Sequence, residues 1–237
     1  MQLLFSPASF ILLLPVLPRF WGQKALPLGP VRQNVFFIHD IRKTRWHTKD
    51  GNHFSPKLFS FFQTANLTLD PSTAHPQLYV SPDLKSVRWK AMKQQVNASA
   101  LRYDVMASVL SHQSFNSGKL CWEVEVVEEG EWWGVGIVRE SANRNGPIVL
   151  QPSGGYWGVQ RIDGQHQAIT HPRTNLTLSH SPRRIRVSLD YSQGFIAFFD
   201  GDTNAELFTF PKANFAGEKI HAWFLIYKWN GQLLLHP

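Results

Sequence analysis

From Arg184 to Tyr191 the chain alternates without a break. Ile185, Val187, Leu189 and Tyr191 fall on one side, and Arg184, Arg186, Ser188 and Asp190 on the other. A period of two lines one face of an extended strand; a helix would repeat its apolar residues at three and four. Ser192-Gln193-Gly194 then turns the chain, Phe195, Ala197 and Phe199 follow, and Asp200-Gly201-Asp202 turns it again ahead of Leu207 to Phe210. That is an antiparallel meander. Short apolar runs punctuated by Gly, Pro and Asn recur elsewhere and no helical period of useful length does, so the expected fold is all-β, two packed antiparallel sheets.

The 237 residues, 43% of them hydrophobic, are enough for a large core. Nine Trp and seventeen Phe suit the gap between two sheets, which bulky flat side chains fill well. The formal charge of +7 suggests a nucleic-acid binder only until it is divided along the chain: residues 1–62 hold eight Lys/Arg against Asp40 and Asp50, and the remainder is nearly neutral. Because a nucleic-acid interface needs its positive charge on the folded surface, binding of nucleic acid by the domain is not expected. Cys121 stands alone, which excludes an intrachain disulfide and a cysteine-based zinc cage.

Between Leu69 and Trp89, Asp70-Pro71 and Ser81-Pro82-Asp83 place proline where its fixed φ suits the second position of a turn, with a side-chain oxygen just before it. Leu78 and Val80 alternate with Gln77 and Tyr79 between those turns, and Val87 follows the second, so short strands flank a reversal. Further on come Phe115-Asn116-Ser117-Gly118-Lys119-Leu120-Cys121-Trp122-Glu123-Val124-Glu125-Val126, then Trp133-Gly134-Val135-Gly136-Ile137-Val138-Arg139-Glu140-Ser141, the Arg186 to Tyr191 strand, and Leu207-Phe208-Thr209-Phe210-Pro211. Taken in this order, these segments resemble the PRY-SPRY domain. That domain closes tripartite-motif ubiquitin ligases and the cytoplasmic tails of butyrophilins, and it occurs in a few small secreted proteins. The resemblance implies a bent antiparallel β-sandwich of the concanavalin-like jelly-roll kind. It also divides the chain into an N-terminal extension over 1–59, apolar then basic and expected to be poorly ordered, and a domain over 60–237, with PRY at about 66–115 and SPRY at about 116–237.

Met1 to Trp21 contains Phe-Ile-Leu-Leu-Leu-Pro-Val-Leu, of signal-peptide length but too short to span a bilayer. No Lys or Arg precedes it, Pro15 and Pro18 interrupt it, and no small-x-small cleavage pattern follows, so a cytoplasmic location is expected and secretion is the alternative. Asn66-Leu-Thr68, Asn97-Ala-Ser99 and Asn175-Leu-Thr177 would accept glycans only on the secretory route. Basic and aromatic residues mix from Val31 to Pro56, a pattern of solvated linkers more than of membrane helices, and no integral membrane span is expected.

Reactive constellations are missing. Ser117-Gly118-Lys119 has Gln113 where a phosphate loop needs glycine, and Gly134-Val135-Gly136 lacks the third glycine of a dinucleotide fingerprint and lies inside a strand pattern. Neither a Gly-x-Ser-x-Gly elbow nor a His-Glu-x-x-His helix occurs. The chain is therefore read as a binder without enzymatic activity, needing no cofactor and no metal. Glu123, Glu125, Glu128, Glu129 and Glu131 form either a solvated face or an acidic patch for a basic partner.

Trp122 and Trp133 sit in apolar alternation and read as core. Alternation sends Trp132 to the face opposite Trp133, and Trp229 lies in the turn Lys228-Trp229-Asn230-Gly231, where an exposed aromatic can anchor an interface. The resemblance implies that partners dock on a shallow surface of loops. Its three recurrent segments correspond here to Arg102-Tyr103-Asp104, to Gln160-Arg161-Ile162 after Gly155-Tyr156-Trp157, and to Lys228-Trp229. The expected partner-binding patch is Arg102, Tyr103, Asp104, Gln160, Ile162 and Trp229. Arg102 and Asp104 would hold a peptide's polar groups while Tyr103, Ile162 and Trp229 cover its apolar side chains, or Arg102 and Asp104 simply pair with each other. Gln94 to Leu101 replaces a proline-rich loop of relatives and is expected to be looser for the loss.

The function this implies is protein or peptide recognition of tripartite-motif type, selecting targets for ubiquitination or innate immune signalling, with no catalytic RING in this chain. Without a coiled coil, oligomers are not expected. A secreted or butyrophilin-like surface immune ligand is the alternative, and a gene product whose upstream exons encode a RING and coiled coil is a third reading.

Overall fold

The computed structural model describes residues 61–236 except 98 and 211; the extension expected over 1–59 lies outside the described residues. Strands follow one another along the described chain: β1 (Gln63–Thr64), β2 (Leu78–Val80), β3 (Ser86–Trp89), β4 (Ser108–Phe115), β5 (Lys119–Glu128), β6 (Trp132–Arg139) and β7 (Tyr156–Ile162). After them come β8 (Gln165–Ala168), β9 (Thr174–Asn175), β10 (Arg184–Asp190), β11 (Phe195–Asp200), β12 (Glu206–Phe210), β13 (Ile220–Tyr227) and β14 (Gln232–His236). The strand expected from the alternation at Arg184 is β10, and the turns at Gly194 and Gly201 lead into β11 and β12 as an antiparallel meander.

Two sheets result. One runs β12-β11-β10-β5-β14-β3-β2, with β1 added to β5 as the one parallel pairing among the described residues; the other runs β4-β13-β6-β7-β8-β9. All other strand pairings are antiparallel, so the all-β antiparallel sandwich is the fold of the described chain.

The sheets meet through the apolar half of each alternation. Ile185, Val187 and Leu189 of β10 and Trp122 and Val124 of β5 face Val135 and Ile137 of β6 and Phe224 of β13, all essentially inaccessible to water. Trp122 and Trp133 are core as expected, and neither indole N–H finds an acceptor among the described residues. Burying an indole removes about 200 Å² from water, worth about 5 kcal/mol. An unmade hydrogen bond costs about 1–3 kcal/mol, so packing wins.

A second cluster lies on the other side of the six-stranded sheet. Ala222, Phe224 and Ile226 of β13 belong to the inter-sheet core, whereas Trp223 and Leu225 join Leu110, Val138 and Tyr156 on the outer face. Glycine makes this face possible. A Cβ at Gly134 would lie 2.8 Å from the Trp223 ring, and one at Gly136 would lie 2.1 Å from the Trp157 carbonyl oxygen. The two glycines that fail as a nucleotide motif are there for close packing.

The first hairpin follows from its turn chemistry. The Leu84 amide donates to the Ser81 carbonyl at 2.9 Å, Asp83 accepts from the Ser81 hydroxyl and from the Lys85 amide, and Leu84 takes a φ of 60°. β2 and β3 then pair Leu78 with Trp89 and Val80 with Val87.

Candidate recognition surface

The second cluster is roofed by two loops, residues 99–107 and 140–155, and the sequence-predicted Arg102-Tyr103-Asp104 step lies in the first. Tyr103 is fully buried, its hydroxyl 3.0 Å from that of Tyr156, which in turn donates to the Asn143 carbonyl at 2.8 Å. Burial pushes the Tyr156 phenol up to about 12 and that of Tyr103 well above its ordinary value, so both stay neutral donors at any physiological pH. The expectation that Tyr103 covers a partner's apolar side chain is corrected: its ring is interior, and its work is to fasten one loop to the other.

Arg102 fastens the same loop on its other flank. Its guanidinium donates to the carbonyls of Pro71 (2.9 Å), Ala74 and Asn97 (3.3 Å), and its own carbonyl accepts from the Asn145 side chain at 2.9 Å. Asp104 is exposed, and one of its carboxylate oxygens accepts from the Gly146 amide at 2.8 Å. No Arg102–Asp104 ion pair is among the described contacts, so the alternative that they satisfy each other does not hold. The stretch from Gln94 to Leu101, expected to be looser, is also tied down: the Gln94 carboxamide donates to the Leu78 carbonyl at 2.8 Å, and Ser99 caps the Leu101 amide at 3.1 Å. Pro76, Val96, Asn97, Arg102 and Asp104 border an open groove of about 680 Å³ there. Val96, Leu101 and Val105 are exposed on the same stretch of chain.

The opposite end of the six-stranded sheet carries the remaining residues. In β7, Trp157 and Val159 point into the inter-sheet core, which leaves Gln160 and Ile162 on the outer face with Tyr156. Register places Trp132 opposite Ile162 and Tyr227 opposite Trp132. Trp132 is half-buried on the face opposite Trp133, as alternation requires. Its indole N–H donates to the Gln160 carboxamide oxygen at 3.2 Å, Gln160 donates to Gln167 at 3.2 Å, and Gln167 donates to Asn175 at 3.1 Å. Gln160 is therefore corrected as well: only 3% exposed, it is the middle rung of a polar ladder crossing β6 to β9 rather than a contact open to a partner. Sequence reasoning missed Trp132, Gln167 and Asn175 as its other members, because only the register brings them side by side.

Trp229, expected as an interface anchor, is exposed. It is 72% accessible at the tip of the β13–β14 hairpin. Lys228, Trp229 and Asn230 all take positive φ (60°, 49° and 56°), a conformation that costs non-glycine residues about 1 kcal/mol or more each. Lys228 braces the tip with 3.0 and 3.1 Å contacts to both Glu131 oxygens, which hold the ammonium pKa above its usual range. Three other members of the acidic run are similarly engaged: Glu123 with Arg186, Glu125 with Arg183 and His236, and Glu129 with Arg161. Those cross-strand pairs favour the solvated-face reading over a patch awaiting a basic partner.

Among the described residues no cluster of His, Cys, Asp and Glu is placed to hold a metal, and no helix is long and apolar enough to cross a membrane. Among the described residues, the outer face of the six-stranded sheet carries two hydrogen-bonded loops at one end and the projecting Trp229 indole at the other.

Comparison with known proteins gives the family. Residues 67–115 match the SPRY-associated domain PRY, and residues 119–234 match the SPRY domain; the chain belongs to the PRY-SPRY family. It is 38% identical over 193 residues to butyrophilin subfamily 1 member A1 of Bos taurus, covering 78% of this chain and 36% of that protein. It is 40% identical over 185 residues to the E3 ubiquitin-protein ligase TRIM15 of Sus scrofa, covering 77% of this chain and 40% of that protein. The chain thus spans well under half the length of these relatives. Its fold matches the crystal structure of the TRIM65 PSpry domain with a TM-score of 0.65 at 21% identity, covering 79% of this chain and 98% of that one. Stonustoxin matches over 73% of this chain and 27% of its own, with a TM-score of 0.62 at 25% identity.

Proposed function

We propose that this chain binds a protein or peptide through the outer rim of the six-stranded sheet and performs no chemistry on it. In this reading it selects targets for ubiquitination or innate immune signalling in the cytoplasm, as the binding half of a tripartite-motif-like system. Trp229 carries the proposal. A 72% exposed indole on a braced, strained turn exposes apolar surface that contributes to affinity only when a partner covers it. Ile162 and the edge of Trp132 extend the apolar contact, while Asp104 and the Asn97 side of the groove offer polar contacts. Tyr103, Arg102 and Gln160 support this surface from below, which lowers the ordering cost of binding.

The test is affinity capture with the full chain and three variants. Trp229→Ala and Asp104→Ala are expected to lose the same partner, each by tenfold or more in affinity, while Tyr79→Ala, an exposed aromatic on β2, keeps it. Retention of every partner by Trp229→Ala would overturn the proposal.

A second reading, a secreted or butyrophilin-like surface ligand, is favoured by the butyrophilin relatives and by the exposure of Asn66, Asn97 and Asn175. Intact mass of protein from mammalian cells separates the two. Glycans on those asparagines with a trimmed N-terminus support the second; an unmodified chain retaining Met1 supports the first.

A further inference from the structure

The connection from β9 to β10 carries a serine in an unusual setting. Four Ser-Pro steps occur in the sequence, and Ser181-Pro182-Arg183-Arg184 is the one in which two arginines follow the proline. Proline-directed serine/threonine kinases that favour basic residues take such a peptide, because the residue before a proline stays extended and the arginines pair with carboxylates of the enzyme. Ser181 is exposed, and from Thr177 to Pro182 no backbone hydrogen bond ties the connection down among the described residues. Pro182 is buried, so a kinase must first draw the segment off the sheets; the missing backbone bonds keep the cost of that local opening small. Ser81-Pro82 is the contrast. Its turn is closed by the Leu84 and Ser81 amides, and Asp83 accepts from its hydroxyl.

The surroundings of the Ser181 hydroxyl give its modification a physical effect. It donates to a Glu129 carboxylate oxygen at 2.5 Å and lies 3.2 Å from the His166 ring, while the other Glu129 oxygen holds Arg161 at 3.1 Å. Register sets Arg161 of β7 opposite Trp133 on one side and His166 on the other, and the His166 ring meets Trp133 edge-on at 5.8 Å. Burial, and after it the Arg161 charge, holds the imidazole below the ordinary 6.5. A phosphate on Ser181 repels Glu129 and offers Arg161 a doubly charged, bidentate partner in its place. Glu129 also opens the short connection that locks the Trp229 tip. The Glu131 amide donates to the Tyr227 carbonyl at 2.9 Å, and a Cβ on Gly130 would lie 2.6 Å from that same oxygen.

We propose that Ser181 is a phosphorylation site for a proline-directed kinase, and that its phosphate draws Arg161 away from Glu129, with His166 as a second donor, and so loosens the brace under Trp229. In the transfer the γ-phosphoryl group of MgATP passes to the serine Oγ: its bond to the ADP oxygen breaks, the Oγ–P bond forms, and the hydroxyl proton goes to the base of the kinase. The effect on Trp229 rests on the cytoplasmic recognition reading above; the charge exchange rests on Ser181, Glu129 and Arg161.

The full chain is incubated with MgATP and a cyclin-dependent kinase, and phosphate is located by peptide mass spectrometry. Phosphate is expected on Ser181 and not on Ser81, and Ser181→Ala is expected to lower total incorporation by about tenfold or more. Phosphorus NMR of the modified chain is expected to show the second phosphate ionisation below its ordinary value of about 6, and Arg161→Gln, with strand content unchanged by circular dichroism, to bring it back toward that value. An unmodified Ser181 in the full chain, whether or not a free peptide of residues 176–186 is modified, would overturn the site. Ionisation at the ordinary value in both chains would overturn the charge exchange. Affinity for the partner that Trp229→Ala loses is expected to fall by about threefold or more on phosphorylation, and an unchanged affinity overturns the link to Trp229. If capture finds no Trp229-dependent partner, the recognition reading fails while the phosphate readouts stand, so the two fail separately.

Discussion

Two buried hydroxyls make an asymmetric prediction about the recognition loops. Tyr156 donates to the Asn143 carbonyl at 2.8 Å, so the bond between the two phenols at 3.0 Å has Tyr103 as its donor. Tyr103→Phe removes that donor and leaves Tyr156 with its carbonyl partner, a loss of about 1 kcal/mol. Tyr156→Phe removes the Asn143 bond and also strands a fully buried Tyr103 hydroxyl, for a total of about 2–4 kcal/mol. In a domain of this size each kcal/mol shifts Tm by about 2–4 °C. Urea unfolding followed by circular dichroism measures both, with an unchanged m value showing that the unfolded state is not the source. The double variant is expected to cost less than the sum of the singles, because the stranded hydroxyl is then gone too. If Tyr103→Phe proves as costly as Tyr156→Phe, the donor chain is assigned the wrong way round and the clamp argument fails.

Other outcomes follow from the same structure. Gly136→Ala is expected to cost about 3 kcal/mol or more, because its Cβ meets backbone at 2.1 and 2.7 Å, whereas Gly164→Ala, with open space but a φ of +79°, costs about 1 kcal/mol; thermal melts rank them. His75, His166 and His221 are each held below the ordinary histidine value of 6.5 by burial. The unfolded chain therefore takes up protons first, and stability falls as pH drops below about 6.5 toward the depressed folded values. For Asp190 and Asp200 burial acts upward, but Lys119 and Ser192 on the first, and the Thr203 and Asp202 amides with His180 on the second, leave both carboxyls below the ordinary 3.8. Their contribution, present above that value, is lost as pH falls further through the folded values. Urea midpoints measured from pH 8 to pH 3 are expected to fall in two stages, and a flat profile between pH 7 and 5 would refute the histidine argument.

Much of this protein was legible in the residues themselves. The period of two in β10, the proline turns before β2 and β3, and the alternation around Trp122 and Trp133 depend on local sterics and on which side chains leave water, so they can be read without knowing what lies opposite. The depth of the expected site residues was not legible. Arg102, Tyr103, Asp104, Gln160, Ile162 and Trp229 were named from their motif positions, but motif position does not report depth. Tyr103 became interior because a partner hydroxyl 53 residues away meets it, and Gln160 because Trp132 and Gln167 close over its amide. The same holds for Ser188, placed by alternation on the polar side of β10 and found buried. Short-range chemistry thus decided which residues extend and turn, whereas register across strands distant in the chain decided which polar groups face water and which satisfy one another. That division is physical: a strand's alternation is set by its own bonds, but its two faces are assigned only when another layer arrives.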